Sequence, residues 1–458
     1  MKRTLKAVVA LLFCASLASA QAAPANPPVV PPARASVEDF RKAADEVLAE
    51  ISEILALPVK EPLKKSIRTR DEIRAYLIQR IQDEKEPEKW EADQKVLTRL
   101  GLLPRGFDLE KFMVELLTEQ IAGLYDPKGK EFYIADWIEA GDQRMVMAHE
   151  LVHALHDQHF GVEAWVKAAK PDDDAQLARN AVLEGAAMVA MIDYVLRDQK
   201  MSVRNMPSLS DLIRHQMLSE MADSPELARA PVFVREMLLF PYISGTSFAQ
   251  TVLRAEPDWK SFNRVFTKPP VSTQQIYHPD LYLAGVAPRP LVLPDLATLL
   301  PSGWKKLDEN SLGEFGLRAI FRQFLGEQRG VELGSLWAGD RYAAFEQSAR
   351  NTGGQRVLLV MRVRLESEPA AARAFGGLSE ALELKYQQRA NLLRRPNFFS
   401  FTSEEGGVYL RCVSDQCLTV EGAGRDVFDR ILRALNWPAV PSAPAKPAKT
   451  GVAVTLHD

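Results

Sequence analysis

Two histidines and a glutamate, His149, Glu150 and His153, form an HExxH motif inside an otherwise apolar segment, residues 145–155. The surrounding residues favour an α-helix, in which positions i and i+4 lie on one face, one turn apart. Two imidazoles in that arrangement can bind one Zn²⁺, and the glutamate between them can take a proton from water beside the metal. Because the chain has only seven histidines, a chance match is rare. The segment therefore predicts a zinc site with His149 and His153 as ligands and Glu150 as the general base.

A catalytic zinc ion has three protein ligands and one open position, so a third ligand is expected. His159 has the spacing of the third histidine of a metzincin, but His156 stands where that chain turns at a glycine. If the helix continues, His159 lies about 15 Å along the axis from His149, too far to share an ion. Glu184 is a carboxylate on an apolar helical face, where burial without a positive partner is costly. We predict Glu184 as the third ligand, with His159 or another residue as alternatives.

The chain resembles the gluzincins, zinc metallopeptidases in which an HExxH helix is joined by a glutamate from a following helix. It is most similar to a group of exported bacterial proteins that share three segments. Here these segments are HELVHALHDQHF at 149–160, EGAA at 184–187 and PPVSTQQIYHP at 269–279. The resemblance covers residues 110–285 well and the C-terminal half loosely. It implies a mainly helical zincin-like metallopeptidase domain, Zn²⁺ as the cofactor, and a peptide or protein substrate.

Two positions depart from the pattern of that group. Ala186 stands where an acidic residue is preferred, so a hydrogen bond to a ligand histidine is expected to be missing. Gln274 stands where a glutamate is common. The main alternative to a peptidase is therefore a catalytically weak or inactive zincin scaffold that binds peptide or a protein partner. A hydrolase of non-peptide amides is a third possibility.

The resemblance also suggests further roles near the metal. Gluzincins place a histidine or tyrosine from beyond the third ligand against the oxyanion, and His278, or alternatively Tyr277, is the candidate here. The competing reading is that His278 ties its loop to the helical layer by hydrogen bonds. His156 and Asp157 are candidates for side chains that contact and orient the metal ligands, with ordinary polar packing as the alternative.

The segment from Glu131 to Ala135 resembles the edge strand along which zincins pair an extended substrate. It lies just upstream of the HExxH helix, and the stretch before it, from Gly123, is expected to form a turn. The alternative is a strand with a structural role only.

The periodicity of apolar residues predicts an α+β protein with two domains. Residues 35–300 are expected to form the mainly helical catalytic domain, and residues 301–437 a smaller α+β domain beyond a proline-rich boundary. The predicted helices are 141–159, 174–198, 209–221, 369–388 and 425–435, and the predicted strands are 341–347, 356–365 and 398–403. Residues 36–122 read as helical throughout, and residues 438–458 as a disordered tail.

The N-terminus predicts export. Residues 1–20 combine a basic start, an apolar stretch and a small-x-small cleavage pattern, and a flexible lead-in follows at 21–34. An uncleaved anchor is the main alternative, because Phe13 disfavours a lipoprotein site at Cys14. We expect a periplasmic or extracellular protein with no transmembrane span after removal of the signal. With 57 basic against 60 acidic residues, we do not expect a nucleic-acid-binding role carried by a basic surface.

Two cysteines remain after signal removal, Cys412 and Cys417. The residues on both sides of Ser414 and Asp415 favour strands, as in a hairpin with a two-residue turn. In that register the cysteines face each other in a non-hydrogen-bonded pair, where side chains approach closely. We predict a local disulfide, with two free thiols as the alternative.

Overall fold

The computed structural model describes residues 37–83, 87–120, 122–138, 140–348 and 355–440. The predicted signal peptide, the lead-in at 21–34 and residues 441–458 of the predicted tail lie outside these ranges. Within them, no helix combines the length and the apolar character that crossing a bilayer requires.

The N-terminal part of the protein is mainly helical, as its apolar periodicity predicts. Its described α-helices are α1 (Val37–Leu55), α2 (Arg70–Asp83), α3 (Pro87–Leu100), α4 (Leu109–Gln120), α5 (Ala140–Phe160), α6 (Val162–Lys167), α7 (Asp173–Leu196), α8 (Ser210–Asp223), α9 (Pro225–Arg229), α10 (Val232–Ala255), α11 (Trp259–Phe262), α12 (Thr273–Tyr277), α13 (Pro279–Leu283) and α14 (Leu296–Leu299). Helix α7 begins at a capping residue, Asp172, whose side chain accepts a hydrogen bond from the amide of Ala175. The predicted helices near 141–159, 174–198 and 209–221 are thus confirmed as α5, α7 and α8.

A three-stranded sheet lies among these helices. Its strands are β1 (Lys64–Arg68), β2 (Gly123–Asp126) and β3 (Glu131–Ala135), in the order β1-β3-β2. Strand β3 pairs in parallel with β1 and antiparallel with β2, so it is the central strand. The prediction that Glu131–Ala135 is an edge strand is therefore wrong, and β2 is the edge next to α5. The prediction that residues 36–122 form a helical layer is wrong at β1, whose mostly polar sequence carries no apolar alternation.

Helices α7 and α10 pack with their backbones in contact. A Cβ atom at Gly185 would lie 2.0 Å from the carbonyl oxygen of Gly245, and one at Gly245 would lie 2.2 Å from that of Ala181. Only glycine fits at such a close approach. The small residues that follow Glu184 therefore fix the position of α10 beside the helix that carries this carboxylate.

The C-terminal part is rich in sheet. It contains the helices α15 (Gly313–Leu325), α16 (Glu327–Gly334), α17 (Glu368–Lys385) and α18 (Arg425–Ala434). Its strands are β4 (Lys305–Asn310), β5 (Trp337–Ser348), β6 (Gln355–Leu365), β7 (Ala390–Arg395), β8 (Phe398–Ser403), β9 (Gly406–Val413) and β10 (Gln416–Ala423). They form one antiparallel sheet in the order β4-β5-β6-β10-β9-β8-β7.

Apolar residues on both faces of this sheet are buried. Along β6, Leu359 and Met361 belong to a core that is continuous with the helical part, whereas Leu358 and Val360 face a second core beneath α14 and α18. This alternation follows from the two-residue period of a strand. The protein is thus of mixed α+β class, with a helical N-terminal part and a sheet-rich C-terminal domain.

The cysteine hairpin has the predicted register. Val413 pairs with Gln416 and Cys412 with Cys417, and the turn is formed by Ser414, at φ 51°, and Asp415. The two cysteines are joined in a disulfide with their Cα atoms 4.0 Å apart. The predicted hairpin is therefore confirmed, and so is the predicted bridge.

Replacing both cysteines by serine is expected to lower the free energy of unfolding by about 2 kcal/mol, because the bridge closes only a short loop. Thermal unfolding of the variant and the wild type measures the difference, with metal content as the control. In protein isolated without reductant, the intact mass should rise by two hydrogens on reduction. Two freely alkylated thiols in that sample would contradict the bridge.

Candidate metal centre

Helix α5 and helix α7 bring three predicted ligands together. The Nε2 atoms of His149 and His153 are 3.2 Å apart, and Oε2 of Glu184 lies 3.2 Å from the first and 3.4 Å from the second. The two histidines are on α5, one turn apart, and the glutamate reaches them from α7. These three side chains could hold a metal ion.

The separations fit a tetrahedral zinc site. With Zn–N and Zn–O bonds of about 2.0–2.2 Å, the ligand atoms of a tetrahedron lie about 3.3–3.6 Å apart. The three distances, 3.2, 3.2 and 3.4 Å, match this edge length within about 0.1 Å. Two imidazoles and one carboxylate are also a donor set that zinc accepts in catalytic sites.

The electrostatics of the cluster are those of a buried charged group. Glu184 is 1% exposed and His149 is also buried. Burial alone would raise the pKa of Glu184, but the charge and hydrogen bonds of the two histidines outweigh it and hold this pKa below its ordinary value. At His153, burial favours the neutral ring and so lowers the pKa, but the charge of Glu184 outweighs burial and raises the pKa above its ordinary value. The carboxylate thus requires positive charge beside it, which a divalent cation would also supply.

The carboxylate of Glu150 lies beside this cluster on the same helix and is buried. Its Oε2 atom accepts a hydrogen bond of 2.8 Å from the backbone N–H of Tyr125 on β2. The edge strand and the HExxH helix are therefore joined at the residue that was predicted to be the general base.

His159 does not join the cluster. Helix α5 continues without a turn to Phe160, and Nε2 of His159 lies 2.8 Å from the carbonyl oxygen of Pro58. Of the alternatives for the third position, the structure brings Glu184, and not His159, to the histidine pair.

His156 packs against aromatic rings, and Asp157 forms hydrogen bonds with residues other than the ligands. The ring of His156 is fully buried and packs on Phe266 at a centroid distance of 4.6 Å. Burial lowers the pKa of His156 well below its ordinary value, so the ring is neutral. Asp157 accepts hydrogen bonds from the hydroxyl of Tyr125 and the amide of Val162.

Ala186 is buried on α7, two residues after Glu184. Among the described residues, Nδ1 of His149 is buried and has no hydrogen-bond partner. A ligand histidine thus lacks a hydrogen bond on its second ring nitrogen, as the sequence-based expectation for Ala186 stated.

The segment at 269–279 connects the helical part to the C-terminal domain. The amide and hydroxyl of Thr273 donate to Oδ1 of Asp174, in the first turn of α7, at 3.0 and 2.5 Å. The amide of Phe315 on α15 donates to the hydroxyl oxygen of Thr273 at 3.1 Å. The side-chain amide of Gln274 donates through Nε2 to the carbonyl of Trp337 at 2.7 Å. This shared segment thus has a structural part in holding the two halves together.

His278 is not placed near the histidine pair. Its Nε2 atom lies 3.0 Å from Oε1 of Glu314 on α15. The neighbouring Tyr277 packs on Phe240 of α10. Residues 240 and 242 point in directions about 200° apart around the axis of this helix. Tyr242 in turn stacks on His149. His278 and Tyr277 therefore lie on the opposite side of α10 from Tyr242 and His149, and their contacts fit the structural alternative.

Replacing His278 by alanine is expected to lower the free energy of unfolding by about 1–2 kcal/mol, with metal content unchanged. The hydrogen bond to Glu314 raises the pKa of His278 above 6.5, against the opposing effect of burial. The stabilisation is therefore fully present below about pH 6.5 and is lost as the pH rises through the raised value. Urea unfolding at several pH values measures this, with His215→Ala as the control. A loss of metal in His278→Ala would contradict the assignment.

The comparisons with known proteins concern the C-terminal domain. A family described as a domain of unknown function, DUF8575, matches residues 300–432. No curated protein and no solved structure matches the chain. The match begins within one residue of the predicted domain boundary, and His149, His153 and Glu184 lie outside it.

Two tyrosines near the cluster were not singled out from the sequence. Tyr125 contacts Glu150 through its backbone amide, and Tyr242 stacks on His149 with ring centroids 6.3 Å apart. A backbone hydrogen bond leaves no residue signature. For Tyr242, the only available signal was an aromatic residue next to Pro241, within a long apolar helix.

Proposed function

We propose that this protein is an exported zinc metallopeptidase of the gluzincin type. The observation that carries the proposal is the arrangement of His149, His153 and Glu184, whose donor atoms are separated by 3.2–3.4 Å. Glu150 adjoins them in the HExxH helix. The order of elements, in which an edge strand precedes the HExxH helix and a second helix supplies a glutamate, supports a zincin-like domain.

In this proposal His149, His153 and Glu184 hold Zn²⁺, and Glu150 is the general base. A zinc ion held there would lower the pKa of a bound water and polarise the carbonyl of the scissile peptide. Glu150 accepts a proton from the attacking water at its carboxylate and passes it to the leaving amine. Its Oε2 atom also accepts the hydrogen bond from the amide of Tyr125, which holds the carboxylate against β2.

Export to the periplasm or the medium is part of the proposal. The disulfide between Cys412 and Cys417 supports it, because such bonds persist in oxidising compartments. A peptide or protein substrate follows from the proposed activity.

The test is cleavage of a diverse peptide library by the purified mature protein, with and without a chelator. Turnover that the chelator abolishes and added Zn²⁺ restores supports the peptidase. Stoichiometric zinc without turnover of any peptide would instead support a non-catalytic scaffold that binds peptide or a protein partner.

A further inference from the structure

The backbone amide of Tyr125 points out of the sheet toward α5. The amide of Ala135 donates to the carbonyl of Ala122 at 2.8 Å, so the backbone polar groups of residue 122 face β3. Because backbone groups alternate in direction along an antiparallel strand, residue 124 also faces β3, and residue 125 faces the free side of β2. There its N–H donates to Oε2 of Glu150 at 2.8 Å.

The side chain of Tyr125 makes a second bond to the same helix. Its hydroxyl donates to Oδ2 of Asp157 at 2.8 Å, in a buried contact. Asp157 follows Glu150 by seven residues, which places both on nearly the same face of α5, two turns apart. Tyr125 therefore bridges two points of one helix face, one through its backbone and the other through its side chain.

Asp157 is itself firmly held. Its Oδ1 atom accepts a hydrogen bond of 3.1 Å from the amide of Val162, and its Oδ2 forms an ion pair with Lys130, the last residue of the turn between β2 and β3. Both carboxylate oxygens are thus engaged, and the side chain is 3% exposed. This anchor fixes the tyrosine ring and, through it, the outer edge of β2.

We propose that Tyr125 and Asp157 are positioning residues that set the orientation of the Glu150 carboxylate. The inference rests on the proposed role of Glu150 as the base. A glutamate side chain has three rotatable bonds, and fixing one of its oxygens restricts the positions that the other can take. A displacement of about 1 Å of a reacting group can lower the rate about 100-fold. The bridge acts on the base and leaves the three ligands of the metal untouched.

The experiment compares Tyr125→Phe, Asp157→Ala and Asp157→Asn with the wild type. Tyr125→Phe and Asp157→Ala are expected to lower kcat by about 10- to 100-fold, with KM within about twofold and zinc content unchanged. Asp157→Asn keeps an oxygen that accepts the tyrosine hydroxyl, so it should recover most of kcat. Tyr282→Phe, which loses a hydroxyl bonded to the carbonyl of Lys268, is the matched control.

A second readout is independent of turnover. Hydrogen exchange of the peptide that covers residues 122–126 should become faster in Tyr125→Phe and also in Glu150→Ala, because each change releases the outer edge of β2. Unchanged exchange together with unchanged kcat in Tyr125→Phe would overturn the inference, as would a fall in kcat that only follows a loss of zinc. If the wild type cleaves no peptide, the proposed function fails, and hydrogen exchange alone then decides whether the bridge holds Glu150.

Discussion

The Glu150→Gln variant is expected to retain zinc and to lose turnover by about 10²- to 10⁴-fold, the usual contribution of a general base. The amide has the shape of the carboxylate, and its oxygen can still accept the hydrogen bond from Tyr125. It cannot accept a proton at the pH of the reaction. The measurement is kcat per bound zinc on a peptide that the wild type cleaves.

The matched control is Glu163→Gln, the same change on helix α6 at a residue that pairs with Lys167. Its turnover should equal that of the wild type. Wild-type turnover in Glu150→Gln would exclude Glu150 as the base, even if zinc were bound at the cluster.

The Glu184→Ala variant is expected to lose the metal. Loss of a residue that only hydrogen-bonds to a ligand lowers metal affinity about 10- to 100-fold. Loss of the ligand itself should therefore lower the zinc affinity by more than about 100-fold. Competition with a chromophoric chelator measures the affinity, and far-UV circular dichroism checks that the variant is folded.

His159→Ala is the matched control for Glu184→Ala. Its imidazole contacts the carbonyl of Pro58 and not the cluster, so its zinc affinity should stay within about threefold of the wild type. The reverse pattern, with zinc lost from His159→Ala and retained by Glu184→Ala, would require a turn after Leu155 and would overturn the gluzincin assignment.

The parts of the fold that the sequence predicted are those with strong local signals. Helices α5 and α7 are 21 and 24 residues long and contain no proline, and the hairpin at Cys412 and Cys417 has strand formers on both sides of a two-residue turn. By contrast, β4 and β7 are polar strands at the two ends of the large sheet. They have one partner strand each and no apolar alternation, so only the tertiary structure reveals them.

The grouping of His149, His153 and Glu184 was predictable because zinc chemistry restricts both residue type and spacing. His149 and His153 follow from the helical period, and Glu184 follows from the cost of burying a lone carboxylate. The position of His278 was not predictable in the same way. Its partner Glu314 is 36 residues away, on α15, a helix that was not among those we predicted.

The most direct test of the account is anomalous diffraction at the zinc edge from crystals of the purified protein. The account predicts a single strong peak within about 2.0–2.2 Å of Nε2 of His149, Nε2 of His153 and Oε2 of Glu184. A zinc-containing crystal whose peak lies elsewhere, for example beside His159, would contradict it. Crystals grown with added Zn²⁺ that show no peak at the cluster would contradict it as well.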